Sequence, residues 1–314
     1  MRNKLLITGG LGYIGSFTAK NIFTKSKKKV YVIDNLSRGN TFAKKYSNSK
    51  ILDVSQKKTQ EFIKNKKINT ILHLAALTCV RESIYNKDMY YKDFKSQIKF
   101  IKFLKKTDVK YFIFSSSLSV FEGSKIKKNL SPYSNYKLKL EKYLKKVSSR
   151  NFKVIVLRYP NIIGSDPSGE LGEKNNFISR IVPIFYKNIL AKKINLLYFD
   201  FERKKFPQRS YLHVNDISNI NIKVINNFKK FNKNFYIFNI SNKKQYSNFQ
   251  VLEELSKLMD INPEYEVKQI SKKESITQVY KLGDDISNYI NYKFKYLNLQ
   301  KILKTNLKWF EKIY

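Results

Sequence analysis

Cysteine is almost absent. Cys79 is the only one in 314 residues, so no internal disulfide framework is possible, and a lone thiol fits the reducing cytoplasm. Histidine is nearly as scarce, at two. No Cys, His and carboxylate cluster stands at metal-ligand spacing, which leaves no readable zinc site. Ten glycines and six prolines are too few for a low-complexity linker, and no repeat period is visible. No apolar run reaches the roughly 18 residues that span a bilayer. Met1-Arg2-Asn3-Lys4 leads straight into a strand-like stretch without a secretory cleavage pattern, so no membrane attachment is expected. Acidic residues are scarce too, 24 against 62 basic ones, for a net charge of +38.

A charge of that size invites a nucleic-acid reading. However, only eight of the 62 basic residues are Arg and 54 are Lys, whereas phosphate and base recognition favours the bidentate fork of Arg. The lysines are scattered as doublets and triplets without one basic arm. A chain rich in Lys, Asn, Ile, Tyr and Phe reads as AT-rich coding, and the charge as solvated surface. No specific nucleic-acid partner is expected, only weak polyanion binding at low salt. What the chain does have is 42% apolar and 15% aromatic residues, the profile of a globular protein. At roughly 100–200 residues per domain, its length allows one or two domains.

The first half alternates short apolar runs with helical patterns. Lys4–Thr8, Val30–Asp34, Thr70–Ala75, Lys110–Ser115 and Lys153–Arg158 are β-branched or aromatic and nearly continuous in apolar residues, as parallel strands buried on both faces are. Helices are expected at Tyr13–Thr24, Asp93–Thr107 and Pro132–Val147. Alternating β and α units point to an α/β fold with a doubly wound parallel (Rossmann) sheet. Phe235–Ile240 is a further strand that rejoins this sheet. Gly164–Asn176 reads as a polar loop, and helices at Gln250–Met259 and Leu299–Ile313 suggest a smaller α+β lobe. The division is thus 1–160 for the dinucleotide domain, with the strand at 235–240 returning to it, and 161–314 mainly for the substrate.

Thr8-Gly9-Gly10-Leu11-Gly12-Tyr13-Ile14-Gly15 follows the first strand and opens a helix. Glycines there let the backbone turn tightly and approach a pyrophosphate, and the helix N-terminus offers free N–H groups. Asp34 ends the second strand 19 residues after Gly15. A carboxylate at that place accepts ribose hydroxyls and repels a 2′-phosphate, which favours NAD over NADP.

Ser131-Pro132 is a helix start, an N-cap hydroxyl followed by proline at the first helical position. Tyr133 and Lys137 follow, four residues apart and so on one helix face. Ser117 ends the fourth strand, at the carboxyl edge where such sheets bind ligands. In a chain with 22 Tyr the Tyr–Lys spacing alone carries little weight, and the helix cap and the strand end supply the context. A nearby ammonium and a positive nicotinamide ring would favour phenolate, which can take a proton from a sugar hydroxyl.

With these pieces in order, the chain resembles the extended short-chain dehydrogenase/reductase family, over nearly its whole length. The markers are TGGLGYIGS from Thr8, VIDNLSRGN from Val32, HLAALTCVRES from His73 and FIFSSSLSVF from Phe112. Further along stand SPYSNYKLKLE from Ser131, LRYPNIIGSDPSGELGE from Leu157, RSYLHVNDI from Arg209 and FNIS from Phe238. The PSGELGE loop is the most specific, and it narrows the resemblance to members that epimerise UDP-hexoses at C4. The resemblance implies NAD as cofactor and a transient 4-keto sugar. It makes Tyr133 the base, Lys137 the group that holds the nicotinamide ribose and tunes Tyr133, and Ser117 the partner of the sugar O4. Gly9, Gly12, Gly15, Tyr13 and Ile14 would lie under the pyrophosphate. Asp34 and Asn35 would take the adenosine ribose, Asp53 and Val54 the adenine, and Leu74, Ala75 and Ala76 the wall of the cleft. Asn161 would contact the UDP-sugar, Arg209 and Lys273 would clamp its diphosphate, and Tyr280 would exclude an N-acetyl group. A homodimer is implied, through the helices 93–107 and 132–147.

The chain also departs from the family pattern. Asp93 and Phe94 stand where Asn is usual, Phe121-Glu122 replaces Tyr-Gly, and Ser241-Asn242-Lys243 replaces a glycine-rich turn. Ser210 replaces Asp, and Pro160 an aromatic. Leu118-Ser119 follows Ser117, so the Asp-Glu pair of dehydrating relatives and the Glu of decarboxylating ones are missing. Cys79 lies in the wrong segment for a double epimerisation and reads as a small buried residue. His73 and His213 read as structural. Two other readings remain at this point. One is a different NAD(P)-dependent nucleotide-sugar epimerase or reductase. The other is a non-catalytic relative that binds dinucleotide or polyanion.

Overall fold

In the computed structural model, residues 4–122, 125–126, 130–174, 180–201, 204–242, 244–269 and 285–314 are described. The expected sites Lys273 and Tyr280 lie outside them. The strands are β1 (Leu5–Thr8), β2 (Val30–Asp34), β3 (Ser47–Ile51), β4 (Thr70–His73), β5 (Tyr111–Ser117), β6 (Phe121–Glu122), β7 (Lys125–Ile126), β8 (Lys153–Tyr159), β9 (Asn161–Ile163), β10 (Asn195–Phe199), β11 (Gln208–His213), β12 (Phe235–Asn239), β13 (Gln245–Ser247) and β14 (Tyr265–Gln269). The helices are α1 (Tyr13–Ser26), α2 (Lys57–Asn65), α3 (Val80–Tyr85), α4 (Lys87–Leu104), α5 (Pro132–Val147), α6 (Ile181–Leu190), α7 (Val214–Asn226), α8 (Asn248–Met259), α9 (Asp285–Tyr289) and α10 (Leu299–Ile313).

Among the described residues, seven strands form one parallel sheet in the order β12-β8-β5-β4-β1-β2-β3. All seven point the same way, but strands are added outward in one direction from β1 to β2 and β3 and in the opposite direction from β4 to β5, β8 and β12. The direction therefore reverses between β1 and β4, and ligands of such sheets bind beyond the strand ends at that reversal. The expected strands are all present, including the late return of β12. Central strands are buried on both faces, with Leu6, Ile7, Ile71, Leu72, Phe112, Ile113, Val154 and Val156 at 0% exposure, which is why they read as unbroken apolar runs. β3 escaped the sequence reading. Its residues, SNSKI, carry one apolar side chain and form the outer edge of the sheet. The helix expected from Asp93 starts six residues earlier, at Lys87. Its first turns are polar outside but bury Tyr90 inside.

The second lobe packs α6, α8 and α10 around Trp309, Phe185, Leu197, Leu252 and Leu303, beside the parallel pair β10–β14. A small sheet, β13-β11-β9, joins it to the first. α7 returns to lie on α1, where Asn21 Nδ2 donates to Asn215 Oδ1 at 2.8 Å and to Ser218 Oγ at 2.9 Å. Two departures from the family pattern meet here. Ser210 Oγ accepts from Asn242 N at 2.8 Å, so the serine and the altered turn after β12 satisfy each other.

Candidate active site

β1 ends in a turn that only glycine fits at two points. Gly9 has φ +66°, and a Cβ on it would lie 2.7 Å from Ala75 N. A Cβ on Gly15 would lie 2.5 Å from Gly10 Cα. Gly12 is the N-cap of α1, with no side chain capping the first turn. Its amides therefore remain available to an anion, with the helix dipole behind them.

Asp34, at the end of β2, is 6% exposed. Its Oδ2 accepts from Leu11 N at 3.0 Å and its Oδ1 from Leu36 N at 2.8 Å. Burial pushes its pKa up, opposed by the amides of Leu36, Leu11 and Gly12. Asn35 Nδ2 donates to Asp53 Oδ2 at 2.6 Å. Burial also pushes Asp53 up, but hydrogen bonds from Ser55 and Asn35 outweigh it and leave its pKa below the usual carboxylate value. These groups open on one cavity of about 350 Å³. Gly9, Gly12, Tyr13, Ile14, Gly15, Asp34, Asn35, Asp53, Val54, Leu74, Ala75 and Ala76 all line it. A turn closed to side chains, a capless helix start and a carboxylate at the next strand end fit a dinucleotide.

The reacting groups gather where β5 meets α5. Ser131 Oγ caps α5 by accepting from Ser134 N at 3.2 Å, with Pro132 in the first turn. This cap aims Tyr133 inward, where it is 8% exposed and its N–H donates to Ser83 Oγ at 3.2 Å. Ser117 Oγ accepts from Ser119 N at 3.1 Å. Burial raises the Tyr133 pKa, while the hydrogen bond with Ser117 and the charge of Arg180 pull it down. Lys137 lies one turn along α5, 5% exposed, with Nζ 5.9 Å from the centre of the Tyr133 ring. Its Nζ donates to Ser115 O at 2.8 Å. Burial lowers the Lys137 pKa to about 8, against the opposing pull of Asp93 and Glu141. Glu141 is fixed in turn by Arg158, through Nε at 2.9 Å and a second nitrogen at 2.6 Å.

The sequence reading has Lys137, together with a positive nicotinamide ring, tune the phenol. Its ammonium donates to the end of β5 within 5.9 Å of the Tyr133 ring centre, and Arg180 adds a second cation that opposes the effect of burial on Tyr133. Arg180 carries no motif that marks it in the sequence. It lines the cavity, its Nε lies 2.8 Å from Glu173 Oε1, and it donates to Ile162 O at 3.2 Å. Asp93 lines the cavity as well. Burial pushes its pKa up, and Gln97 and Lys137 oppose this.

Asn161 is exposed at the start of β9, and Arg209 stands on β11, whose Tyr211 is paired with Asn161. The structure thus brings these two onto one small sheet. Both histidines are structural. His73 Nδ1 lies 2.7 Å from Thr8 Oγ1 with Gln97 on its other nitrogen, and His213 Nδ1 accepts from Asn215 N at 3.0 Å. Cys79 differs from its reading as a buried filler. It is half-buried and caps α3, accepting from Glu82 N at 3.3 Å. No group of three metal ligands occurs among the described residues, and no helix among them is long and apolar enough to cross a membrane.

A profile of the NAD dependent epimerase/dehydratase family matches residues 5–241. The chain is 26% identical to the UDP-glucose 4-epimerase of Lactobacillus helveticus, over 98% of this chain and 96% of that one. It is 28% identical to the enzyme of the same name from Pasteurella multocida, over 84% and 85%. Among solved structures it is similar to the UDP-glucose 4-epimerase of Bifidobacterium longum in complex with NAD+ and UDP. The TM-score is 0.87, with 24% identity and 98% of each chain covered. The UDP-Glc/GlcNAc 4-epimerase of Campylobacter jejuni matches with a TM-score of 0.81, at 25% identity over 99% of each chain.

Proposed function

Because the chain belongs to the NAD dependent epimerase/dehydratase family, we propose that it interconverts UDP-glucose and UDP-galactose at C4 with tightly held NAD. The observation that carries this reading is the meeting of Ser117, Tyr133 and Lys137 beside a cavity lined by twelve of the fourteen residues expected to hold the dinucleotide, Tyr133 and Lys137 being the other two.

Gly9, Gly12, Gly15, Tyr13 and Ile14 hold the pyrophosphate, Asp34 and Asn35 the adenosine ribose, and Asp53 and Val54 the adenine. NAD held there would supply the acceptance and return of a hydride at the sugar C4. Tyr133 takes the proton from the O4 hydroxyl and later returns it, as a general base and then acid. Ser117 holds the same oxygen, and Lys137 holds the nicotinamide ribose. Asn161 and Arg209 keep the UDP end fixed while the keto sugar turns over, and by resemblance Lys273 would share that task and Tyr280 would exclude an N-acetyl group. Anchoring far from C4 lets binding energy serve the reacting centre without tying the hexose down. Residues 161–314 form most of this substrate lobe.

We assign the enzyme to the cytoplasm, supported by its lone cysteine, and to a homodimer through α4 and α5. Tyr91 of α4 is 44% exposed, and the rings of Phe94 and Tyr136 stack across the two helices at 5.0 Å.

The test is incubation of purified protein with UDP-galactose, followed by separation of the two hexose epimers. UDP-glucose is expected without net NADH, and Tyr133→Phe should slow its formation by about 10²–10⁴-fold. Accumulating NADH would point to a reductase or dehydrogenase, and an unaffected Tyr133→Phe variant would remove the proposed base.

A further inference from the structure

We propose that Glu82 sets the choice of dinucleotide by holding the guanidinium of Arg38, a residue of the cleft lining four positions after Asp34, away from a 2′-phosphate. This rests on the reading of the cleft as a dinucleotide site. Sites of this kind distinguish two cofactors at the ribose. A carboxylate at the end of the second strand suits the free 2′-hydroxyl, and a nearby arginine accommodates a 2′-phosphate. This chain carries both. Arg38 lines the same cavity as Asp34. The backbone just past Arg38 folds so tightly onto the carboxylate that a Cβ on Gly39 would lie 2.8 Å from Asp34 Oδ1. The other arginine of the cavity, Arg180, is engaged with Glu173 near Tyr13.

The conflict is resolved from α3. Glu82, in the first turn of α3, has a side chain 7% exposed and forms an ion pair with Arg38 through Oε1. Its second oxygen accepts from Tyr90 Oη at 2.9 Å. Its own N–H donates to Cys79 Sγ at 3.3 Å, which fixes the helix turn that carries it. Both carboxylate oxygens are thus committed, and the guanidinium is turned toward a buried anion. A 2′-phosphate pairing with Arg38 would have to displace Glu82 from it while facing Asp34. Arginine suits such a lock because its planar fork stays charged at every relevant pH and matches a carboxylate in shape.

The experiment sets NADP+ against NAD+ in competition for the full-length protein, with the retained dinucleotide identified by chromatography after gel filtration. The wild type is expected to retain NAD+. In Glu82→Gln the retained ratio should move toward NADP+ by about tenfold or more, and Glu82→Gln combined with Arg38→Gln should return it to the wild-type value. A Glu82→Gln ratio within about threefold of wild type overturns the proposal. If that variant does not fold, Arg38→Gln alone decides. A held arginine predicts an unchanged ratio, whereas a further loss of NADP+ retention would show that Arg38 already serves the phosphate, which also overturns it. A wild-type protein that retains neither dinucleotide overturns the cofactor reading and this inference with it, and that failure is visible before any variant is made.

Discussion

At the site, two charges work on two different protons. Tyr133 acts as a base only when deprotonated, and burial holds its pKa above the ordinary tyrosine value, with Arg180 a cation opposing this. Lys137 acts as an ammonium, and burial, opposed by Asp93 and Glu141, brings its pKa down to about 8. With the base titrating above the cation, the population that carries both phenolate and ammonium rises up to the Lys137 pKa, stays level between the two and falls above the Tyr133 pKa. Removing the charge in Arg180→Gln leaves burial less opposed, so the falling limb of kcat/KM should move to higher pH, while Arg180→Lys should largely restore it. Asp93→Asn removes one opposing carboxylate, lowers the Lys137 pKa and should make the rising limb level off at lower pH. The two substitutions therefore shift opposite limbs in opposite directions. If each merely scaled the whole profile, neither residue would be acting on the proton assigned to it here.

Among the elements, the polar loop from Gly164 to Glu173 gathers three of the chain's acidic residues, Asp166, Glu170 and Glu173. Lys20 of α1 reaches Asp166 and Glu170, each at 2.5 Å, and the Tyr13 hydroxyl donates to Gly164 O. From the other side, Trp309 Nε1 of α10 donates to Glu173 O at 2.9 Å, and Thr305 Oγ1 accepts from Ser165 N at 2.9 Å. The loop is thus a clamp between the dinucleotide helix and the last helix, and Glu173 is its end that meets Arg180. Gly172 makes the fit possible, because a Cβ there would overlap the Trp309 indole. Gly172→Ala should cost about 1–3 kcal/mol as an overpacked contact, lowering the Tm by about 2–4 °C per kcal/mol. It should also shift the emission of Trp309, the single tryptophan. An unchanged melting temperature and emission would mean that the loop does not rest on the indole. The sequence showed this segment as a polar loop but not what it holds. Periodicity and caps are local signals, so β1, β2, β4, β5 and β8, the glycine turn and the Ser131-Pro132 cap were all readable. β3 was not, because an edge strand buries little and carries no apolar alternation. Arg38–Glu82 joins segments 44 residues apart that only the fold brings together, and Glu173–Arg180, seven residues apart, lies in no helix or strand period that would flag it. One trace of them did exist. In a chain that uses Lys for 54 of its 62 bases, Arg38, Arg158 and Arg180 each pair with a glutamate, where the shape of the cation matters as well as its charge.

For the molecule as a whole, the two histidines define how folding responds to acid. His73 ties β1 to α4 through Thr8 and Gln97 amid Phe100, Phe112 and Phe114, and is 1% exposed. His213 ties β11 to α7 and α10 and stacks on Tyr296. One sits in the dinucleotide sheet and the other where the lobes join. Burial lowers both pKa values from 6.5 to about 4. Between those values the unfolded chain binds protons that the folded chain refuses, so stability present above pH 6.5 is lost progressively as pH falls toward 4. At 1.36 kcal/mol per unit, each histidine accounts for about 3 kcal/mol over that interval. The surface ion pairs act at lower pH, since Glu170, with burial outweighed by Lys20, Lys45 and Tyr46, titrates at about 2. Buried Asp93, Asp216 and Glu173 work in the opposite sense, because burial raises them and folding then favours proton uptake. A stability curve of the wild type alone mixes these effects, and the difference from His73→Asn isolates one of them. Denaturation midpoints at pH 7 and pH 4.5 should show the wild type's advantage over His73→Asn shrinking as acid is added, because only the wild type has that proton to bind on unfolding. A gap that stays constant over the interval would mean that the ring already carries its proton inside the folded protein, and the His73 bridge between β1 and α4 would then need a different hydrogen-bond assignment.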